Sequence, residues 1–529
     1  MPRPKFRGGF LTGPSTTWEM DPTTRCVTSP HPVPRLATIA PLHAEHGGNL
    51  FRVFQRDDLV GVPRLPVDDL VLVAKLEHEL DHMQRHLATS YGLVYHLIRS
   101  RMADLFFRRP SLSASDDAAR LPWYPTQRRR IRSEEHAVDR NEKLYASYRS
   151  LLNIWTCDGT SPSSPNAGEC RAAFAALACD SFPEGLAMRP PERAQHGRRA
   201  WFPVWNDEQG RPFKMGAAAL LEMLALSREL SLMRYANLPE HRDEAQFGSS
   251  IYRQAAYVWK EVFKLPLILN TTPSQIWRRL GYRSISAPPW ELQLAVDLAL
   301  WIPLGPNGAV PADARFGWED IHPGWRFARI LNLLRQQTKW HVEPAITHDA
   351  NDWVRSTQQE WCQQLGWPAP DELIDVWMAW LADGYHRQTL ERRYIEDDRS
   401  RWAASLNLLA YRQSAPAAVV LGFPDAGGAA VNWFDAVFGP DEDNVLHVYS
   451  DESRMTKLEA LGYPFPVAYG LIQAIELFAE HLGNSTQETL DWRLARLKRL
   501  GLKLETCIKT YAKRHYDTEV AFDDKLPDK

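Results

Sequence analysis

The stretch Glu77-His78-Glu79-Leu80-Asp81-His82 decides how this chain is read. His78, Glu79 and His82 form the pattern H-E-x-x-H. On an α-helix, side chains four apart stand one turn apart on the same face, so two imidazoles can grip one metal ion. The carboxylate beside the first histidine is then placed to act on a water held by that metal. With 17 His in 529 residues, roughly 0.03 such matches are expected by chance from composition, which makes the pattern a specific signal. Its flanks point the same way. Asp68 and Asp69 suit a helix start. Val71, Leu72, Leu76, Leu80, Met83 and Leu87 then recur at helical spacing as an apolar stripe. The histidines lie beside that stripe, where a half-buried site belongs. The competing reading is a solvated helix that happens to be rich in His and Glu.

His86 extends the histidine face by one more turn. Three ligands at i, i+4 and i+8 fan apart on a straight helix, so His86 is expected behind the site or at the surface. The pattern lacks a following G-x-x-H, which excludes the metzincin arrangement. Thr89-Ser90-Tyr91-Gly92 follows, and Gly92 can end the helix or turn it.

Composition narrows the function classes. An apolar fraction of 44% supplies a sizeable core. The formal charge of −3 gives no global case for nucleic acid or an anionic membrane. Arg128, Arg129, Arg130 and Arg132 make a basic run, but Glu134, Glu135 and Asp139 follow at once, so a solvated helix with internal ion pairs is expected. No nucleic-acid partner is expected. Cys26, Cys157, Cys170, Cys179, Cys362 and Cys507 form no C-x-x-C pair and read as reduced thiols of a cytoplasmic protein. The N-terminus has no apolar h-region, and no run of about 18 apolar residues exists to span a membrane. Trp occurs 20 times, which suits large helix-to-helix contacts.

The expected fold is mainly α: a multi-helix body with a small β or irregular N-terminal part. Residues 1–65, rich in Pro, Thr and Gly, read as extended or β segments; His43 and His46 there read as solvated loop residues. Residues 66–345 read as the site-bearing domain, with 156–212 an insertion loop of Pro and Ser composition that controls access to a cleft. Residues 346–529 read as a helical C-terminal domain, in which Val419 to Gly422 is a candidate strand. Asp297 falls within an apolar helix and needs a partner, for which Arg326 is a candidate. No internal repeat and no phosphate-binding glycine loop is present.

Two histidines do not complete a catalytic zinc site, which usually has three protein ligands and a water. At this point the chain resembles the gluzincin metallopeptidases. In that group H-E-x-x-H is completed by a glutamate from a later helix, often in a Glu-x-x-Ala context, and Glu222-Met223-Leu224-Ala225 fits that context. The resemblance covers about two helices. It departs from the group in the long spacing from His82 to Glu222 and in the absence of a glycine after the glutamate. It implies a metallopeptidase-like body and a zinc-dependent protease acting on a protein or peptide. Zn2+ would be held by His78, His82 and Glu222, with Glu79 as general base. Tyr235, Tyr252 and Tyr257 are candidates by type for the donor to an oxyanion.

The surroundings of Glu222 argue for it independently. Ala218, Ala219 and Ala225 flank it, small enough for close approach of another helix. Glu222 also interrupts an apolar run from Met215 to Leu226, and a buried carboxylate needs a cation or a metal. Rivals are Glu229, Glu134, Glu135 and His86, each without that flank. The opposing reading has Glu222 pairing with an arginine or reaching solvent. A second function class stays open beside the protease: a helical interaction or regulatory protein, a pseudo-protease with a structural metal site.

Overall fold

In a computed structural model of the chain, the structure describes residues 19–21, 26–29, 78–79, 81–107, 119–121, 148, 151–156, 203–206, 212–225, 290–314, 316–336, 350–391, 405–406, 408–421, 448–450 and 520–522. Most of the described residues are helical, so the architecture is mostly α. The strands are short. β1 (Glu19–Asp21) pairs antiparallel with β2 (Cys26–Ser29), and β2 pairs parallel with β8 (Val448–Ser450). β3 (Ala119–Leu121) pairs parallel with β9 (Val520–Phe522). β4 (Val204–Asn206) with β5 (Pro212–Lys214), and β6 (Leu304–Gly305) with β7 (Gly308–Ala309), are antiparallel pairs. Among the described residues, no helix is long and apolar enough to cross a membrane.

Helix Trp290–Ala299 lies at the centre. From Leu292 to Ala299 its residues are buried, as expected of a helix that is apolar on every face. It packs against helices Pro323–Gln336, Ala350–Leu365 and Pro416–Leu421. The one charge in this buried run is Asp297. Its partner is not Arg326, which turns instead to the end of the same helix and donates through Nη2 to the Leu298 carbonyl at 3.1 Å. Carbonyls in a last helical turn have no partner within the helix, and a guanidinium fork supplies one. The Arg326 guanidinium carbon also lies over the Trp367 ring, 3.6 Å from its centroid.

Asp297 is instead held by two guanidiniums and an amide. Arg85 Nη1 donates to its Oδ1 at 2.7 Å, Arg412 Nη1 to Oδ1 at 3.0 Å and Gln358 Nε2 to Oδ2 at 3.0 Å. Arg412 Nη2 makes a second bond to Oδ2. Arg85 in turn donates to Asp81 through Nη2 at 3.0 Å and Nε at 3.3 Å. Two carboxylates and two guanidiniums thus form a neutral, buried quartet. Burial pushes the Asp297 carboxyl up, but Arg412 and Arg85 outweigh it and hold the group below the usual carboxylate range. Gln358 and Arg412 come from beyond residue 345, so the helices on both sides of that position share this core.

The motif helix comprises residues 78–79 and 81–87. The chain bends at 88–89 and continues as helix Ser90–Phe107. Thr89 Oγ1 donates to the Arg85 carbonyl at 2.7 Å and accepts from the Gly92 N–H at 3.2 Å. Gly92 lies inside the second helix. A Cβ there would stand 2.3 Å from the His86 carbonyl oxygen, so only glycine permits the tight bend.

One local expectation is corrected. Val419 to Gly422 is not a strand up to the last described residue: Pro416–Leu421 is a short helix. Its Pro suits the first helical position, and a short buried apolar run reads alike as strand or helix. The insertion expected over residues 156–212 is described only at its two ends. Thr156 is the last described residue of the helical segment 151–156, and 204–206 with 212 belong to strands of the β4–β5 hairpin, in which Trp205 is in register with Phe213. The rest of that segment, and with it any role in controlling access, lies outside the described residues.

The Met215 N–H at the hairpin exit bonds the Pro203 carbonyl at 3.1 Å. Gly324, in the first turn of helix Pro323–Gln336, abuts this exit so closely that a Cβ would fall 2.0 Å from the Met215 carbonyl oxygen. His322, just before that helix, is buried and neutral, with burial pushing its pKa down to about 3. Its Nδ1 faces the Trp325 N–H at 3.3 Å and its Nε2 faces the Ile154 carbonyl at 3.2 Å. A neutral ring that accepts at Nδ1 and donates at Nε2 satisfies both contacts.

Asp297→Asn is expected to leave two buried guanidiniums facing one remaining carboxylate. Breaking a buried pair in this way costs about 3–5 kcal/mol. Urea denaturation should show a lower midpoint with an unchanged slope; a loss below about 1 kcal/mol, the scale of an exposed pair, would show that the quartet does not hold this core.

Candidate metal centre

Three side chains meet where the motif helix faces the helix of residues 217–225. Hairpin β4–β5 leads into the second of these through Met215 and Gly216. Ala217, Ala218, Ala219 and Ala225 are all buried, with Leu220, Leu221, Met223 and Leu224. Among them stands one carboxylate, Glu222, on a side chain that is 14% exposed. Its Oε2 lies 3.4 Å from His78 Nε2, and its Oε1 lies 3.6 Å from His82 Nε2. The two Nε2 atoms lie 3.2 Å apart, with the rings nearly perpendicular at 82°. The three groups can together hold a metal ion, their ligand atoms all lying within 4.8 Å of one another.

These separations fit one cation at the centre. Bonds of 2.0–2.1 Å to a tetrahedral ion put neighbouring ligand atoms about 3.3 Å apart. The two Nε2 atoms are 3.2 Å apart, and Glu222 turns a different oxygen to each ring, Oε2 to His78 at 3.4 Å and Oε1 to His82 at 3.6 Å, so both carboxylate oxygens border the space between them. Proton sharing explains the set less well. Two neutral imidazoles can each donate to Glu222, but then both Nε2 atoms are donors and their mutual approach is unfavourable. Burial pushes the Glu222 carboxyl up, yet His82 and His78 outweigh it and hold the group well below the usual carboxylate range. The carboxylate therefore stays ionised beside the two rings. Glu222 Oε2 and His82 Nδ1 are buried atoms without a hydrogen bond among the described residues.

Glu79 follows His78 on the same helix and is 4% exposed, as His78 is 1% and His82 5%. His78, His82 and Glu222 thus meet in a space almost closed to solvent, and Glu79 is itself buried on the same helix. His86 is not at the surface. It is buried against the rings of Tyr91, Tyr95 and His96, at centroid separations of 6.0, 5.4 and 5.8 Å. Burial, with the His82 charge added, pushes its pKa down to about 3. It stands behind the site as a neutral ring, because the bend at 88–89 folds the aromatic start of helix Ser90–Phe107 over it.

The sequence reading placed His78, His82, Glu222 and Glu79 in one site, and the structure brings the first three together. Among the rivals for the third ligand, Glu134, Glu135 and Glu229 lie outside the described residues. So do His43, His46, Arg128, Arg129, Arg130, Arg132, Tyr235, Tyr252, Tyr257, Asp68 and Asp69. The reading missed Asp81 and Arg85. Both lie in the motif helix, and their i, i+4 spacing with opposite charge was the available signal. Comparison of the chain with protein-family models, curated proteins and solved structures finds no match.

Removing either imidazole should empty the centre. Elemental analysis after exhaustive dialysis is expected to find one divalent metal per chain in the unmodified protein and none in His78→Ala or His82→Ala. Full metal content in both variants would place the ion elsewhere.

Proposed function

We propose that this chain is a zinc-dependent metalloprotease that hydrolyses a peptide bond in a protein or peptide. The observation that supports the reading most strongly is the convergence of His78 Nε2, His82 Nε2 and Glu222 across two helices at ligand-to-ligand distances. Two imidazole nitrogens and one carboxylate oxygen are a donor set that zinc favours, and three protein ligands leave a fourth position open for water or substrate.

When bound, zinc supplies a Lewis acid that polarises a carbonyl and brings the pKa of a coordinated water to about 7. The chain's own residues do the rest. His78 and His82 present their Nε2 atoms, and Glu222 contributes a negative charge that the two neighbouring rings, against the effect of burial, keep ionised. Glu79, the next residue along the helix from His78, takes the proton of the attacking water and returns it to the leaving amine. The near-closure around these side chains excludes bulk water and strengthens each electrostatic contact. The substrate is a polypeptide, with no nucleic acid or membrane component, and the setting is the cytoplasm, where free thiols persist.

One observation favours a second reading. With His78, Glu79 and His82 all at 5% exposure or less, the centre resembles a closed structural metal site, as a regulatory helical protein would carry.

Glu79→Gln separates the two. The amide matches the carboxylate in size but takes up no proton. On the protease reading the variant keeps its fold and its zinc and loses about 10²- to 10⁴-fold in cleavage rate, measured on a denatured protein mixture resolved by mass spectrometry. Equal turnover by variant and unmodified protein would remove Glu79 from the role of base. Full zinc without cleavage by either protein would favour the structural reading.

A further inference from the structure

We propose that Arg85 is the positioning residue of the metal centre, locking the rotation of the motif helix onto the end of helix Pro416–Leu421. The inference rests on the metal reading above and adds a second region of the chain to the site. Arg85 spends its guanidinium on four acceptors that lie away from the metal ligands. Nη2 donates to the Val419 carbonyl at 3.0 Å and toward the Val420 carbonyl at 3.4 Å. Nη1 donates to Asp297, while Nη2 and Nε hold Asp81. The two carbonyls belong to the last described turn of their helix, and among the described residues no helical N–H reaches them. Arg85 therefore closes that helix as well as fixing its own.

Angle and distance say why the lock matters. At 100° per residue, Arg85 projects within about 60° of both His78 and His82 around the helix. A group about 6 Å from a helix axis moves by about 2 Å when the helix turns by 20°. Metal-ligand distances tolerate about 0.2 Å. The helix must therefore hold its rotation far better than van der Waals contact between apolar residues alone requires. A planar fork bonded to fixed carbonyls and to two carboxylates supplies that constraint. Lysine, with the same charge and no fork, cannot satisfy all of these acceptors at once.

Arg412 provides the control. It bonds the same Asp297 from the other side but touches no residue of the motif helix among the contacts found. A general loss of core stability therefore affects Arg412→Lys and Arg85→Lys alike, whereas loss of helix rotation affects only the second.

The experiment titrates zinc, and separately cobalt, into the full chain and into Arg85→Lys, Arg412→Lys and Asp81→Asn. Zinc affinity is read by chelator competition and coordination geometry by the visible cobalt spectrum. Arg85→Lys is expected to bind zinc about 10- to 100-fold more weakly, the range for groups that orient metal ligands, and to show an altered cobalt spectrum. Arg412→Lys is expected to keep the unmodified affinity and spectrum. Asp81→Asn, which keeps one acceptor for Arg85, is expected to fall between them and decides the matter if Arg85→Lys does not fold. Equal zinc affinity and equal spectra for Arg85→Lys, or for Asp81→Asn where only that variant folds, would overturn the proposal, as would equal losses in Arg85→Lys and Arg412→Lys. If the unmodified chain binds no zinc, the metal reading itself fails and this proposal with it.

Discussion

Four charges out of water, Asp81, Arg85, Asp297 and Arg412, constrain everything else in the described core. Each would be expensive to bury alone, and together they sum to zero. Arg85 sees both carboxylates, and Asp297 sees both guanidiniums. The group joins three parts of the chain: the motif helix, helix Trp290–Ala299 and the helical stretch from 408 to 421. An apolar core tolerates sliding of one helix along another by small steps. A neutral quartet with forked hydrogen bonds does not, because any slide leaves a buried charge unpaired. Within it, Arg85 is the member that stands on the motif helix, between Asp81 of the same helix and Asp297.

The same helix carries a second buried polar cluster with a different balance. Ionised Glu222 brings a negative charge to the two rings. Nothing in the quartet compensates it, since the quartet is already neutral. A divalent cation at the meeting point satisfies the carboxylate and both Nε2 lone pairs at once. The small residues around Glu222 matter here for the same reason that glycine matters at 92 and 324. Each lets backbone approach closely, so that short polar side chains can meet across a helix contact.

Much of this was legible in the residues. The i, i+4 histidines and the isolated carboxylate in an Ala-rich helix carry a local periodic signal, and the structure brings them together. The helical character of the body follows from the same periodicity. Other features were not legible because they depend on long-range packing. Asp297 announced that it needed a partner, but a guanidinium 212 positions away in the chain cannot be told from one 29 positions away by spacing. Val419 and Val420 looked like strand because β-branched residues favour strands, whereas their context at the end of a capped helix decided otherwise. For His86 a place behind the site and one at the surface both stayed open, because helical geometry alone does not reveal that the chain bends at 88–89 and packs Tyr91, Tyr95 and His96 against it.

The central claim is that one metal ion is held by His78, His82 and Glu222. The most direct measurement is anomalous X-ray scattering from crystals of the full chain, recorded above and below the zinc absorption edge. The account predicts one strong peak per chain that vanishes below the edge, about 2.0–2.1 Å from both Nε2 atoms and about 2.0–2.2 Å from a Glu222 oxygen. No peak at this position in zinc-loaded crystals, or a peak coordinated by other residues, would contradict it.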